Sequence, residues 1–388
     1  MKLSPWPFYD DEQLSNVSKI LKSGKVNYWT GNEGKFFEKE FSDKFEAKYS
    51  VALANGSLAL SCAYLALNLK KGDEIITTPR TFIATSSSAV LLGLKPVFVD
   101  VDINSGLITS EKIEPAISKK TKAIVVVHLA GWPAEMHKIC ELAKKYGLFI
   151  IEDCSQAHGA KINNKNVGTF GDIATWSFCQ DKIISTGGEG GMLSTNNLKF
   201  FKKVWSFKDH GKTYEKINSK SNNYSFRWIH DNFGSNFRLT EMQSSIGRVQ
   251  LNRLNDWIYL RNRNAKILID YLSELKQIRV PIPDNNIVHA YYKFYCYVNE
   301  NNFCTDWNRE RIINELNSNG FPAYSGSCSE IYLEKCFKDI GLSPKNNLKN
   351  ASKLGKTSIM FLVHPTISYE QMHLYGKEIL TTFRKALK

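Results

Sequence analysis

The sequence predicts an α/β fold: a mainly parallel sheet sandwiched by helices, followed by a smaller α+β domain. Three observations carry this. Over the first two-thirds of the chain, short apolar runs alternate with stretches of helical periodicity. Several runs are nearly continuous in Val, Ile and Phe, as strands covered on both faces require. Past about Arg238 the alternation gives way to long helical spacing, then to a proline-punctuated, aromatic-rich region.

Seven strands are expected, at Val51–Leu53, Glu74–Thr77, Pro96–Val99, Ala123–His128, Leu148–Asp153, Ala174–Phe178 and Gly191–Ser194. Leu60, Ala63 and Leu67 fall on one helical face after Asn55-Gly56-Ser57, with Asn55 or Ser57 as N-cap. Met136, Ile139, Cys140 and Ala143 mark a second amphipathic helix. Lys212–Asn232 is poor in apolar residues and reads as a loop. Leu239, Met242, Ile246 and Val249 open a long helical region reaching about Leu275. Pro281 to Pro283, Ala290–Val298 and Trp307–Asn317 make up the smaller domain. The division is placed within the long helix: a large domain with an N-terminal arm over 1–248, and a small domain over 249–388.

The chain has 388 residues, 43% hydrophobic and 23% charged, enough to bury a large core, which excludes disorder, collagen and coiled coil. With 51 Lys and Arg against 38 Asp and Glu, the net charge is +13, so an anionic partner has to be considered. The lysines are scattered and no nucleic-acid-binding module is present, so no nucleic-acid partner is expected. Eight cysteines without C-x-x-C spacing read as reduced thiols of a cytoplasmic protein. The longest apolar stretches, such as Ala123–Leu129, are too short to cross a bilayer, and no membrane partner is expected. The histidines and cysteines form no cluster with metal-ligand spacing, and no metal is expected.

The residues with chemical potential lie where apolar strands end. Asp153 closes one of them, where open α/β sheets bind ligands. It reads either as a carboxylate aimed at a bound cofactor or as the N-cap of the next helix. Lys182 follows another strand and precedes the glycine-rich Gly187-Gly188-Glu189-Gly190-Gly191. It reads as a reactive amine held against a flat ligand or as a surface lysine before a hairpin. Ser177 either donates to a phosphate or simply ends its strand. Gly56 and Ser57 open a helix whose free N–H groups and dipole favour a phosphate, although many strand-to-helix turns look similar. Phe82 either stacks on a ring or belongs to the core.

Three segments taken in this order carry a resemblance. They are Glu152-Asp153 with Gln156-Ala157-His158-Gly159; Ser177-Phe178 with Lys182 and Gly188-Glu189-Gly190-Gly191; and Asn236 through Gln243. The chain resembles the DegT/StrS-type sugar aminotransferases, pyridoxal-phosphate enzymes of the aspartate aminotransferase type I fold, from Tyr28 to about Pro365. The resemblance implies pyridoxal 5′-phosphate as cofactor, with Lys182 as the catalytic amine that bonds it and later moves the proton. Asp153 is then the partner of the pyridinium nitrogen, Phe82 stacks on the ring, and Gln156 lies near its phenolic oxygen. Gly56, Ser57 and Ser177 hold the phosphate, and Asn236 reaches it from a partner subunit. The implied assembly is a homodimer with shared active sites.

The implied reaction moves an amino group from L-glutamate to a nucleotide-linked keto-deoxysugar, most commonly a 4-keto-6-deoxyhexose, for surface polysaccharide or glycan assembly. Relatives that dehydrate sugars carry histidine at the Lys182 position, so this chain should transaminate. Amination at position 3, a non-nucleotide keto-sugar, and a non-catalytic cofactor-binding relative are the alternatives. Where many relatives carry a His-Tyr substrate loop, this chain has Gly320–Glu330, and no substrate role is assigned there. Tyr28-Trp29-Thr30-Gly31 either approaches the substrate diphosphate or packs as a loop. His158 reads as a packed histidine, and His210-Gly211 as a turn. Trp132 and Trp228 are either core or ligand contacts.

Overall fold

A computed structural model describes residues 3–219 and 226–388. Seven strands form the main sheet: β1 (Tyr49–Leu53), β2 (Glu74–Thr77), β3 (Lys95–Phe98), β4 (Thr121–Val127), β5 (Phe149–Asp153), β8 (Ile173–Ser177) and β9 (Gly191–Thr195). Their order is β1-β9-β8-β5-β4-β2-β3, with β9 antiparallel to both neighbours and the others parallel. Between β5 and β8 lies the short hairpin β6 (Lys161–Ile162) and β7 (Lys165–Asn166), to which β10 (Ile287–Val288) adds a third strand. All seven expected strands are present, with ends that differ by at most two residues.

The continuous apolar runs have a simple cause. Ala123 and Val125 of β4 enter one core, with Leu60 and Ala63 of the helix Gly56–Ala66. Ile124 and Val126 enter another, with Met136 and Ile139 of the helix Met136–Tyr146. Side chains alternate across the sheet, and helices cover both sides, so Ala123 to Val127 of β4 are apolar at every position.

The helical region expected from 239 to 275 is two helices, Glu241–Asn252 and Leu254–Leu272, broken at Arg253. The second joins two cores. Leu254 and Ile258 pack with Trp176 and Phe178 beside the sheet, whereas Ala265, Leu268 and Leu272 pack in the small domain. That domain holds the antiparallel sheet β11 (Phe294–Tyr297), β13 (Ser358–Phe361) and β12 (Ala323–Tyr324), with the helices Arg309–Ser318 and Tyr369–Ala386. Leu3 inserts into the same core, so the N-terminal arm lies on the small domain. Of the loop expected over Lys212–Asn232, residues 220–225 lie outside the described residues, and Tyr214–Asn218 forms a short helix. His210 takes a left-handed conformation at φ 57°, as the expected turn requires. Among the described residues no helix is long and apolar enough to cross a membrane.

The motif from Asn236 to Gln243 is largely scaffolding. The Glu241 carboxylate accepts the Glu33 and Gly34 N–H groups at 2.6 and 3.1 Å, capping the helix Glu33–Lys44. Gln243 donates to the Glu189 carbonyl at 2.8 Å, fastening the glycine-rich segment. Tyr28 and Trp29 pack as a loop, with Tyr28 donating to Glu38 at 3.0 Å and Trp29 edge-on to Trp205. Lys208, fully buried, pairs with Glu38 at 2.7 Å and lies over the Tyr28 ring. Lys208→Met should therefore destabilise by about 3–5 kcal/mol, because it leaves the largely buried Glu38 carboxylate without its cation. A melting midpoint equal to that of the wild type would refute this.

Candidate active site

The carboxyl ends of β5 and β8, the N-terminus of the helix Gly56–Ala66 and one wall of the small domain enclose a cavity of about 1620 Å3. Gly56, Ser57, Phe82, Asp153, Gln156, Ser177 and Lys182 all line it. They converge because each follows a strand of the same sheet or the first turn after it.

Asp153 ends β5 and is 5% exposed. Its Oδ2 accepts the Thr85 hydroxyl at 2.9 Å and its Oδ1 accepts the Ser155 N–H at 3.2 Å. Thr85 in turn shares a 3.0 Å hydrogen bond with Thr81. The carboxylate is thus oriented by its own side of the cavity, with no cation bonded to it among the described residues. It is placed to meet a cationic N–H of a ligand.

Asn55 caps the helix Gly56–Ala66 by accepting the Leu58 N–H, leaving the Gly56 and Ser57 N–H groups outside the intrahelical ladder. A Cβ on Gly56 would lie 2.7 Å from the Ser177 Cβ, and one on Gly191 would lie 2.4 Å from the Asn55 carbonyl oxygen. Only glycine at both positions lets the helix end, the Ser177 hydroxyl and the glycine-rich strand meet. The result is a cradle of N–H and O–H donors at a helix N-terminus, the geometry that holds a phosphate. Phe82, an aromatic 68% exposed to the cavity and solvent, offers an open ring face. Gln156 is held by accepting the Ala130 N–H at 2.7 Å.

Lys182 projects into the cavity from the turn after β8. Its Nζ lies 3.4 Å from the Tyr292 hydroxyl, 4.8 Å from that ring's centroid and 3.7 Å from Asp181 Oδ1. The Tyr292 hydroxyl also donates to Asp181. Burial alone would raise the Asp181 acid, but the Lys182 charge, the Tyr292 hydroxyl and the Lys293 charge hold it below the usual carboxylate range. Burial, reinforced by Asp181, pushes the Tyr292 phenol well above its ordinary value, keeping it a neutral donor. The Trp6 indole N–H donates to the Lys182 carbonyl at 2.8 Å, so the N-terminal arm also steadies this turn.

Other expected residues lie elsewhere. Asn236 is exposed, bridges the Asp209 backbone and does not line this chain's cavity. His158 is fully buried against Trp176 and Phe178, and burial, with the Lys182 and Arg261 charges, lowers its pKa to about 3. It is a neutral packing residue. Trp132 stacks edge-on with His289, and Trp228 is largely exposed. All eight cysteines are free. His128, Glu152 and Cys154 cluster within 4.8 Å, but His128 and Glu152 are already engaged. Glu152 accepts from Gly168, Phe170 and Gly171 and pairs with His128 at 3.1 Å, while His128 Nδ1 accepts the Ala134 N–H. That cluster anchors the loop before β8.

Tyr292, Asp181, Thr85, Lys293 and Trp6 were not singled out by the sequence. Thr85 stands three residues after Phe82, so a hydroxyl at helical spacing was the available signal. Tyr292 and Lys293 carried none beyond the aromatic richness of Ala290–Val298.

The lysine, the carboxylate at the cavity floor, the open ring and the phosphate cradle fit pyridoxal phosphate. Residues 7–377 match the family model of the DegT/DnrJ/EryC1/StrS aminotransferases. The GDP-perosamine synthase of Escherichia coli O157:H7 is 37% identical over 289 residues, 74% of this chain and 76% of that protein. The UDP-N-acetyl-3-dehydro-alpha-D-glucosamine 3-aminotransferase of Acidithiobacillus ferrooxidans is 37% identical over 291 residues, 74% of each chain. The X-ray structure of the aminotransferase from Psychrobacter cryohalolentis has a TM-score of 0.97 and 47% identity, covering 98% of this chain and 99% of that one. With the type I fold and the site in agreement, the chain belongs to the DegT/DnrJ/EryC1/StrS aminotransferase family, the pyridoxal-phosphate-dependent sugar aminotransferases.

Proposed function

We propose that this enzyme transfers the amino group of L-glutamate to a nucleotide-linked keto-deoxysugar, with a 4-keto-6-deoxyhexose as the leading acceptor. The product would enter surface polysaccharide or glycan assembly. One observation carries the reading: the cavity of about 1620 Å3 exceeds the roughly 300–1,000 Å3 typical of a single small ligand. It has room for the cofactor and a nucleotide diphosphate sugar together. Two relatives named for nucleotide-sugar substrates support the class.

When bound, pyridoxal phosphate supplies an aldehyde that bonds an amine and a ring that accepts an electron pair. Within this reading the protein supplies the rest. The Gly56 and Ser57 N–H groups and the Ser177 hydroxyl would hold the phosphate, and Phe82 would cover the ring. Asp153 would pair with the ring nitrogen, and Gln156 would lie near the phenolic oxygen. Lys182 Nζ would be the amine that bonds the aldehyde and, when free, the base that takes the proton from the donor α-carbon. Tyr292 and Asp181 would hold the resulting ammonium within reach.

The same reading makes the enzyme a homodimer in which Asn236 of each subunit reaches the phosphate bound by the other; its position outside its own chain's cavity supports this. The division of the chain at 1–248 and 249–388 belongs to the reading too, supported by the two cores that the helix Leu254–Leu272 joins.

A second reading, amination at position 3, is favoured by the equally similar 3-aminotransferase relative. The test is product analysis after incubation with L-glutamate and a panel of nucleotide 4-keto- and 3-keto-sugars. A 4-amino product is expected; a 3-amino product selects the second reading, and turnover only of free keto-sugars overturns both.

A further inference from the structure

Both substrates of the proposed transamination bring oxyanions into the cavity: the donor a carboxylate, the acceptor a diphosphate. Among the described residues, the lining includes no arginine, the residue best suited to either. Its acids are Asp153, Asp181 and Glu189, and its cations are Lys182 and Lys293. Lys182 is committed to the cofactor. Lys293 is therefore the remaining lysine or arginine on this wall among the described residues.

Lys293 follows Tyr292 directly and leads into β11. Its Nζ lies 4.8 Å from the Tyr292 ring centroid, and the Lys182 Nζ lies at the same distance from the same ring. Among the described residues, no carboxylate lies within 4 Å of it, and it donates no side-chain hydrogen bond. Burial pulls its pKa to about 8, opposed by the Asp181 charge, as befits an ammonium short of water and of a bonded counterion. A partly desolvated charge with no bonded counterion is costly, and a ligand oxyanion that completes it gains what the free protein lacks.

The geometry separates the two oxyanions. For Lys182 to take the α-proton, the donor α-carbon must sit at its Nζ, and the α-carboxylate is bonded to that carbon. The diphosphate is held away from the reacting carbonyl by the span of the sugar ring. We propose that Lys293 binds the α-carboxylate of the amino donor and so selects amino acids over simple amines. This rests on the reading of an amino acid as donor.

The experiment follows the cofactor absorbance of the purified holoenzyme during the donor half-reaction alone, as L-glutamate is titrated. Lys293→Met should raise the apparent Kd for L-glutamate roughly 10- to 100-fold, the effect of losing one charge-assisted hydrogen bond. The KM for the keto-sugar in the second half-reaction should stay within about twofold, and Lys293→Arg should recover part of the loss. An unchanged glutamate Kd overturns the inference. A rise confined to the keto-sugar KM assigns Lys293 to the diphosphate and also overturns it. Loss of bound cofactor or of the wild-type melting midpoint in Lys293→Met marks a structural role and overturns it as well. A wild type converted by another amino acid but not by L-glutamate overturns the proposed donor only; the Lys293 comparison is then read with that amino acid.

Discussion

Lys182→Ala should abolish turnover, by at least the 10²–10⁴-fold that a positioned proton-transfer group contributes, and by more because the covalent attachment goes too. The variant should still fold. Among the described residues, Lys182 Nζ is held by Tyr292 at 3.4 Å and Asp181 at 3.7 Å, and those two bond each other without it. The cradle at Gly56 and Ser57 and the carboxylate at Asp153 lie on other elements and should keep phosphate and ring affinity. The expected result is a protein that binds pyridoxal phosphate reversibly, loses it on gel filtration and shows no amino transfer. Measured turnover near the wild-type rate would remove Lys182 from the mechanism.

Asp153→Asn should fold normally and lose turnover by roughly 10²–10³-fold, the usual effect of deleting one preorganised electrostatic partner. The substitution keeps shape and burial. The Thr85 hydroxyl that now donates to Oδ2 can instead accept from an amide, because its bond with Thr81 works in either direction. What disappears is the negative charge at the end of β5, the proposed partner of the cofactor's ring nitrogen. The loss should fall on kcat in both half-reactions, with the glutamate KM little moved. Full activity in Asp153→Asn would show that the charge is not used.

Much of the frame was legible because its signals are local. A strand covered on both faces must be apolar at every position, so the runs at β4 and β5 announce themselves in a handful of residues. The strand ends then position Asp153, Ser177 and Lys182 by chain connectivity alone, and the glycines at 56 and 191 are demanded by close approach. Helix continuity was less legible. The apolar spacing from Leu239 onward runs through Arg253, and only the packing of Leu254 and Ile258 against Trp176 and Phe178 shows that a second helix starts there.

The sequence by itself determined which segments are the strands of the sheet and which residues stand at or just past their ends, among them Asp153, Ser177 and Lys182. The tertiary structure alone decided what surrounds Lys182. Tyr292 and Lys293 stand more than a hundred residues away, just before β11, and Trp6 lies near the start of the chain. Their approach depends on how the small domain and the N-terminal arm pack onto the carboxyl edge of the sheet. No short-range pattern encodes that packing, because the buried surfaces that specify it are contributed by segments distant in sequence.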